Sequence, residues 1–184
     1  PCGIVAPAGP HASNNRSEAG VSMSKRILKT VLVFFVALGA FLWAVQNLVN
    51  LDSAYGSVAY VLSNADHTAY PKSLGPAITS PALVWLALVL ILVGEFMTAL
   101  LAAKGAWDMF ACRRASAGEF QAAKRFAVLG CGMAVVVWFG IFTVIGGAYF
   151  QMWQTEIGDA SFTGALHYAI INAAILIFVD MADD

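Results

Sequence analysis

Glu95 is the residue of this chain best placed to do chemistry. It lies inside an otherwise uncharged apolar run, Pro81–Ala103, about 4–5 Å from the middle of that run at ~1.5 Å per residue. An acid at that depth in a bilayer is costly unless it is protonated, paired or hydrated, and it normally turns toward neighbouring helices. Two roles fit it. One is a station for a proton or another cation. The other is a protonated structural acid bonded to a neighbouring helix, with Asn172, near the middle of the last apolar segment, as the expected partner. A proton relay offers several stations, and no second acid or base lies at similar depth, which favours the structural role.

His167, in the same last segment, has a side chain able to titrate, meet a quinone or ligate a metal. A lone intramembrane histidine is more often a helix–helix hydrogen-bonding residue. Haem held by two histidines would need a partner, and after Met23 the only other histidine is His67, in a loop. No cofactor and no metal site is therefore expected. Gln46, Asn47, Asn50 and Asp52 form the densest polar cluster, at the expected outer end of the first apolar segment. Gln151, Gln154, Glu156 and Asp159 follow the third segment on the same side. Solvation of helix ends explains both groups, with an outer vestibule as the alternative.

Other chemistries lack their residues. Cys2, Cys112 and Cys131 make no CxxC pair and are expected to be free thiols. There is no HExxH zinc helix, glycine-rich phosphate cradle or GxSxG elbow. Small four-helix drug exporters carry an acid in the first span; this first span has none.

The elements that must position Glu95 follow from composition. Of 184 residues, 60% are hydrophobic and 11% charged, with mean hydropathy +0.75. Soluble domains carry about 25% charged residues, so this chain has too little charge to cover a surface in water. Its apolar blocks reach the ~20 residues that cross a bilayer as a helix. Backbone groups in lipid must be satisfied within their own segment, so the blocks are helices. The expected fold is all-α: a four-helix transmembrane bundle with spans at about 27–49, 81–103, 126–150 and 162–180. A short interfacial helix near Tyr55–Leu62 is expected in the first outer loop.

Lys25, Arg26 and Lys29 flank the first span, and Lys104, Arg113, Arg114, Lys124 and Arg125 lie between the second and third. The loop Asn50–Ser80 holds only Lys72. The positive-inside rule then puts both termini in the cytoplasm. Trp43, Trp85, Tyr149, Trp153 and Trp107 fall near span ends, as an aromatic belt would. Small residues four apart, such as Gly94, Thr98 and Ala102 or Ala165, Ala169 and Ala173, mark faces on which helices approach closely. The net charge of −1 leaves no nucleic-acid footprint, so the expected partners are the lipid bilayer and further copies or subunits.

Residues 1–22, rich in Pro, Gly, Ser and Asn, read as a disordered tail or as a non-native upstream extension of the reading frame, and Met23-Ser24-Lys25-Arg26 as the start of a membrane domain running to residue 184. The apolar run after the basic flank is longer than a signal-peptide core, so an uncleaved first span is expected.

With the spans placed, the chain resembles the domain-of-unknown-function family 2165, predicted small integral membrane proteins of bacteria. The resemblance rests on Asn47, Asp52, Pro76-Ala77-Ile78, Glu95 and Gly105-Ala106. It continues in Phe120-Gln121-Ala122-Ala123-Lys124, Trp138-Phe139, Gly146-Gly147, Phe150 and Met152-Trp153-Gln154. The chain departs where the family pattern has Gly-Gly-Glu-Trp-Phe, reading Gly146-Gly147-Ala148-Tyr149-Phe150 and so lacking the acid. Pro76 replaces an arginine, and Ile157-Gly158-Asp159 a Trp-Asn-Gly stretch. The resemblance implies a bacterial inner-membrane protein of four spans and brings no established activity. The leading expectation is a non-enzymatic accessory or self-associating bundle. The alternative is a proton-coupled transporter or permeation subunit using Glu95, with His167 and Asn172 assisting.

Overall fold

The computed structural model describes residues 14–183, and its secondary structure there is helical throughout. Helix α1 spans Asn14–Val49 and α2 Leu51–Leu62; α3 runs Pro81–Ala111 and α4 Ala117–Ala123. Helix α5, Arg125–Val135, continues as a π-helix over Val136–Tyr149. A 3₁₀ turn at Met152–Gln154 leads into α6, Glu156–Asp180. Four stretches are long and apolar enough to cross a membrane: Ser22–Val49, Pro81–Ala111, Ala117–Tyr149 and Glu156–Asp180.

The helix ends follow local chemistry. Pro81 opens α3 in the first turn, where its missing N–H costs nothing. Ser116 and Glu119 form a capping box at α4, each side chain meeting the other's backbone N–H. Thr155 caps α6 by accepting from the Gly158 amide at 3.2 Å, and Glu156 and Asp159 add negative charge to that first turn.

Helix α3 runs on beyond the apolar run at Ala103 to Ala111, because helical hydrogen bonding does not stop where apolar character does. Two expectations are corrected. The segment expected to be disordered is helical from Asn14 onward, joined to the first span as one helix, since extending a formed helix is far easier than nucleating one. Residues 1–13 lie outside the described residues. Cys131 is free and buried, but Cys112 is disulfide-bonded; spacing along the chain excludes a CxxC pair and is silent on pairing across a fold.

Helix α1 lies along α3, α3 along α5, and α6 packs on α5 and the π-helix. Lipid supplies no hydrophobic drive between helices, so close approach must hold them. A Cβ on Gly105 would overlap the backbone of Ala127, and one on Gly130 the backbone of Ala102. Around this contact Val33, Ala40, Ala102, Met109, Phe120, Ala134 and Ala169 are buried, while Leu100, Trp107 and Ile177 point outward. Helix α2 packs on the first turns of α3: Tyr55 meets Trp85 with ring centroids 4.8 Å apart, and Leu62, Val84 and Phe150 form a second small core. The loop beyond α2 is tied down by Gln154, which accepts from the Tyr70 amide at 2.8 Å and donates to its carbonyl at 3.2 Å.

Candidate functional site

Glu95 sits on the buried stripe of α3 that includes Leu88, Ile91, Thr98 and Ala102, and only 2% of it is exposed. Its partner is Asn47. The Asn47 side-chain N–H group donates to both carboxylate oxygens, at 3.0 and 3.2 Å. The pairing follows from register. Arg26 meets the Arg113 and Ala115 carbonyls just past the end of α3, and from there the last turn of antiparallel α1 comes level with Glu95. Asn47 continues the α1 face made by Val33, Ala37, Ala40 and Ala44, all buried at three- and four-residue spacing.

The pair borders a cavity of about 350 Å³ between α1 and α6. Trp43 stands one turn before Asn47; Trp138 and Phe142 reach the cavity from the π-helix, and Tyr168 from α6. The Trp138 and Tyr168 rings meet at 4.4 Å, tilted by 51°, and make a corner. The Tyr168 hydroxyl end lies against Gly39, where a Cβ would strike it. Trp43, Ala160, Ser161 and Gly164 are exposed, so the cavity has a mouth. The π-helix begins where the third span passes Gly94, with Val137 packed against it. Its wide turns show in Phe150, whose amide bonds the Ile145 carbonyl five residues back. Such π segments recur at functional sites.

The other expected residues scatter. Asn172 is buried but donates to the Tyr168 carbonyl of its own helix at 2.7 Å, not to Glu95; an amide four residues along can always reach the previous turn. His167 is exposed on α6 and does not line the cavity; one residue's step of about 100° separates it from Tyr168, which does. Gln46, Asn50 and Asp52 are exposed, with Asn50 donating to the Gln46 carbonyl at 2.9 Å. The cluster read at the end of the first span thus divides: Asn47 joins the intramembrane acid, and its neighbours face outward. Of the aromatic walls, Trp43 reads as a belt residue and Trp138 as part of the family resemblance, while Phe142 and Tyr168 belong to no motif of their own. The signal for them lay in helical phase, because Trp43 is one turn from Asn47, and Tyr168 is near Ala165 and Ala169 on the small-residue face.

A second group lies at the opposite end of the bundle and was not foreseen. The Lys29 ammonium is 2.9 Å from the Asp183 carboxylate, and Lys124 pairs with the same carboxylate. Both lysines also donate to the Met181 carbonyl, at 2.6 and 2.7 Å. Arg26 donates to the Ala115 carbonyl at 2.7 Å and stands 4.8 Å from the Phe120 ring centre. These bonds join the ends of α1, α3, the third span and α6.

A carboxylate held by one amide, beside open aromatic-lined space, can take up a proton or serve as counter-charge to a bound cation. No curated protein and no solved structure matches this sequence. A family model matches residues 25–182, which reaches into all four apolar helices. The chain is therefore an integral membrane protein with several spans and belongs to the predicted small integral membrane proteins, DUF2165.

Proposed function

We propose that this protein is a cation-coupled permeation subunit of the bacterial cytoplasmic membrane, working through Glu95 and without enzymatic activity of its own. The observation that carries the reading is the placement of Glu95 beside a cavity rather than within sealed helix contact. An ionisable residue inside a span marks an ion or substrate path by default. The partner amide fixes the position of the acid by donating to both of its oxygens. Clustering of Lys25, Arg26, Lys29, Lys104, Arg113, Arg114, Lys124 and Arg125 near one end favours that end as cytoplasmic, with both termini there. Four helices offer little room for a solute path, so the working unit is proposed to be a homo-oligomer.

Infrared difference spectroscopy of the protein in lipid, compared with Glu95→Gln, tests the site. A carboxyl band that responds to bulk pH over the neutral range supports the reading, and proton or cation flux into liposomes then falls with Glu95→Gln. A band that stays silent from mildly acidic to strongly alkaline pH would make Glu95 a dry structural acid. The protein would then be the accessory bundle of the other reading.

A further inference from the structure

We propose that the Glu95 cavity receives a small alkylated ammonium ion, its charge against the Glu95 carboxylate and its alkyl groups on the faces of Trp43, Trp138, Phe142 and Tyr168. The inference rests on the proposed function and specifies the cation. Three observations carry it. The cavity lining contains one acid and no base, so its charge preference is for a cation. Four of its lining side chains are aromatic, Trp and Tyr among them, and such rings attract cations most strongly when water is excluded. Its volume of about 350 Å³ lies near the lower end of the range for small-molecule sites.

Other cations fit less well. A proton needs neither the space nor the rings. Calcium takes six to eight oxygen ligands and magnesium a near-ideal octahedron, whereas the cavity lining offers one carboxylate among mostly aromatic and small side chains. A quaternary or tertiary ammonium is weakly hydrated and spreads its charge over alkyl groups, so one carboxylate and aromatic faces satisfy it. The exposed mouth residues Trp43, Ser161 and Gly164 give it a way in.

Tetraethylammonium is the probe, titrated into the full chain in lipid nanodiscs and followed by calorimetry and tryptophan fluorescence. Saturable binding is expected, not displaced by sodium at equal ionic strength, and weakened more than tenfold in Glu95→Gln. Trp43→Leu keeps an apolar group at the half-exposed mouth and is expected to weaken binding roughly two- to tenfold; it carries the test if Glu95→Gln fails to fold. Unchanged affinity in both variants, or equal displacement by sodium, would overturn the proposal. If no tetraethylammonium binds while the Glu95 carboxyl responds to bulk pH, the ammonium site is wrong and the cation-coupled reading stands. A silent carboxyl together with no binding removes both.

Discussion

Among the described residues Asn47 is the one side chain that hydrogen-bonds Glu95, and the strength of that contact reports the charge of the acid. Intramembrane hydrogen bonds average ~0.6 kcal/mol and reach ~1.7, while those to charged groups lie nearer 1.5–3 kcal/mol. Asn47→Ala is therefore expected to cost about 1–2 kcal/mol, measured by reversible unfolding in mixed micelles. In a Glu95→Gln background the same change is expected to cost about half as much, because charge-assisted bonds are roughly twice as strong as neutral ones. Equal costs in the two backgrounds would mean that Glu95 is already neutral, and would count against its role as a cation's counter-charge. At this scale the acid was legible in the sequence, since a charge inside an apolar run announces itself. Its partner was not. A polar residue near a span end has an ordinary explanation, and only the register of α1 against α3 shows that Asn47 is level with Glu95.

The helices owe their spacing to positions where no side chain fits. Gly130 lies on the Ala102 backbone and Gly105 on that of Ala127; a backbone cannot swing aside as a side chain can. Gly130→Ala is expected to destabilise the protein by about 1–3 kcal/mol, as overpacking does. Gly132, two residues away, has nothing within 4 Å of a built Cβ. Gly132→Ala is expected to stabilise by about 0.5–1 kcal/mol through reduced backbone freedom. Thermal unfolding of the two variants in one detergent checks the contrast, and a similar loss in both would mean that the helices are not in backbone contact. The small-residue face of Gly94, Thr98 and Ala102, on which Gly130 rests, was legible from its four-residue repeat. Gly105 was not seen as a packing residue, because Lys104 closes the apolar run and hydropathy reports the surroundings of a helix rather than its end. The change from α5 to the π-helix has no counterpart in residue type: Val136–Tyr149 reads as an ordinary apolar span.

On the scale of the molecule, the two ends of the bundle are built differently. Near the long loop, α1 and α6 stand apart around the Glu95 cavity. At the basic end Asp183 draws Lys29 of α1 and Lys124 of the third span onto the end of α6. Lys29 and Asp183 are separated by 154 positions, and each alone reads as an end charge facing water, so no pattern in the sequence joins them. Their side chains are almost wholly buried. Removing one member of a buried ion pair costs about 3–5 kcal/mol, because the remaining charge is left without compensation. Asp183→Asn is expected near the lower end of that range, since Met181 still accepts from both lysines and one Asp183 oxygen has no partner. Burial acts to raise the Asp183 carboxyl, but the hydrogen bonds and charges of Lys124 and Lys29 outweigh it and hold it below the usual carboxylate range. A lowered carboxyl contributes stability that is fully present above its unfolded value, about 3.9, and lost as pH falls through the lowered one. Unfolding measured as a function of pH is thus expected to show the native chain well above Asp183→Asn at neutral pH. The two curves should approach each other only in strong acid, below the ordinary carboxylate range. Convergence at mildly acidic pH would mean that Asp183 titrates as a free surface acid and that the basic end is not clamped.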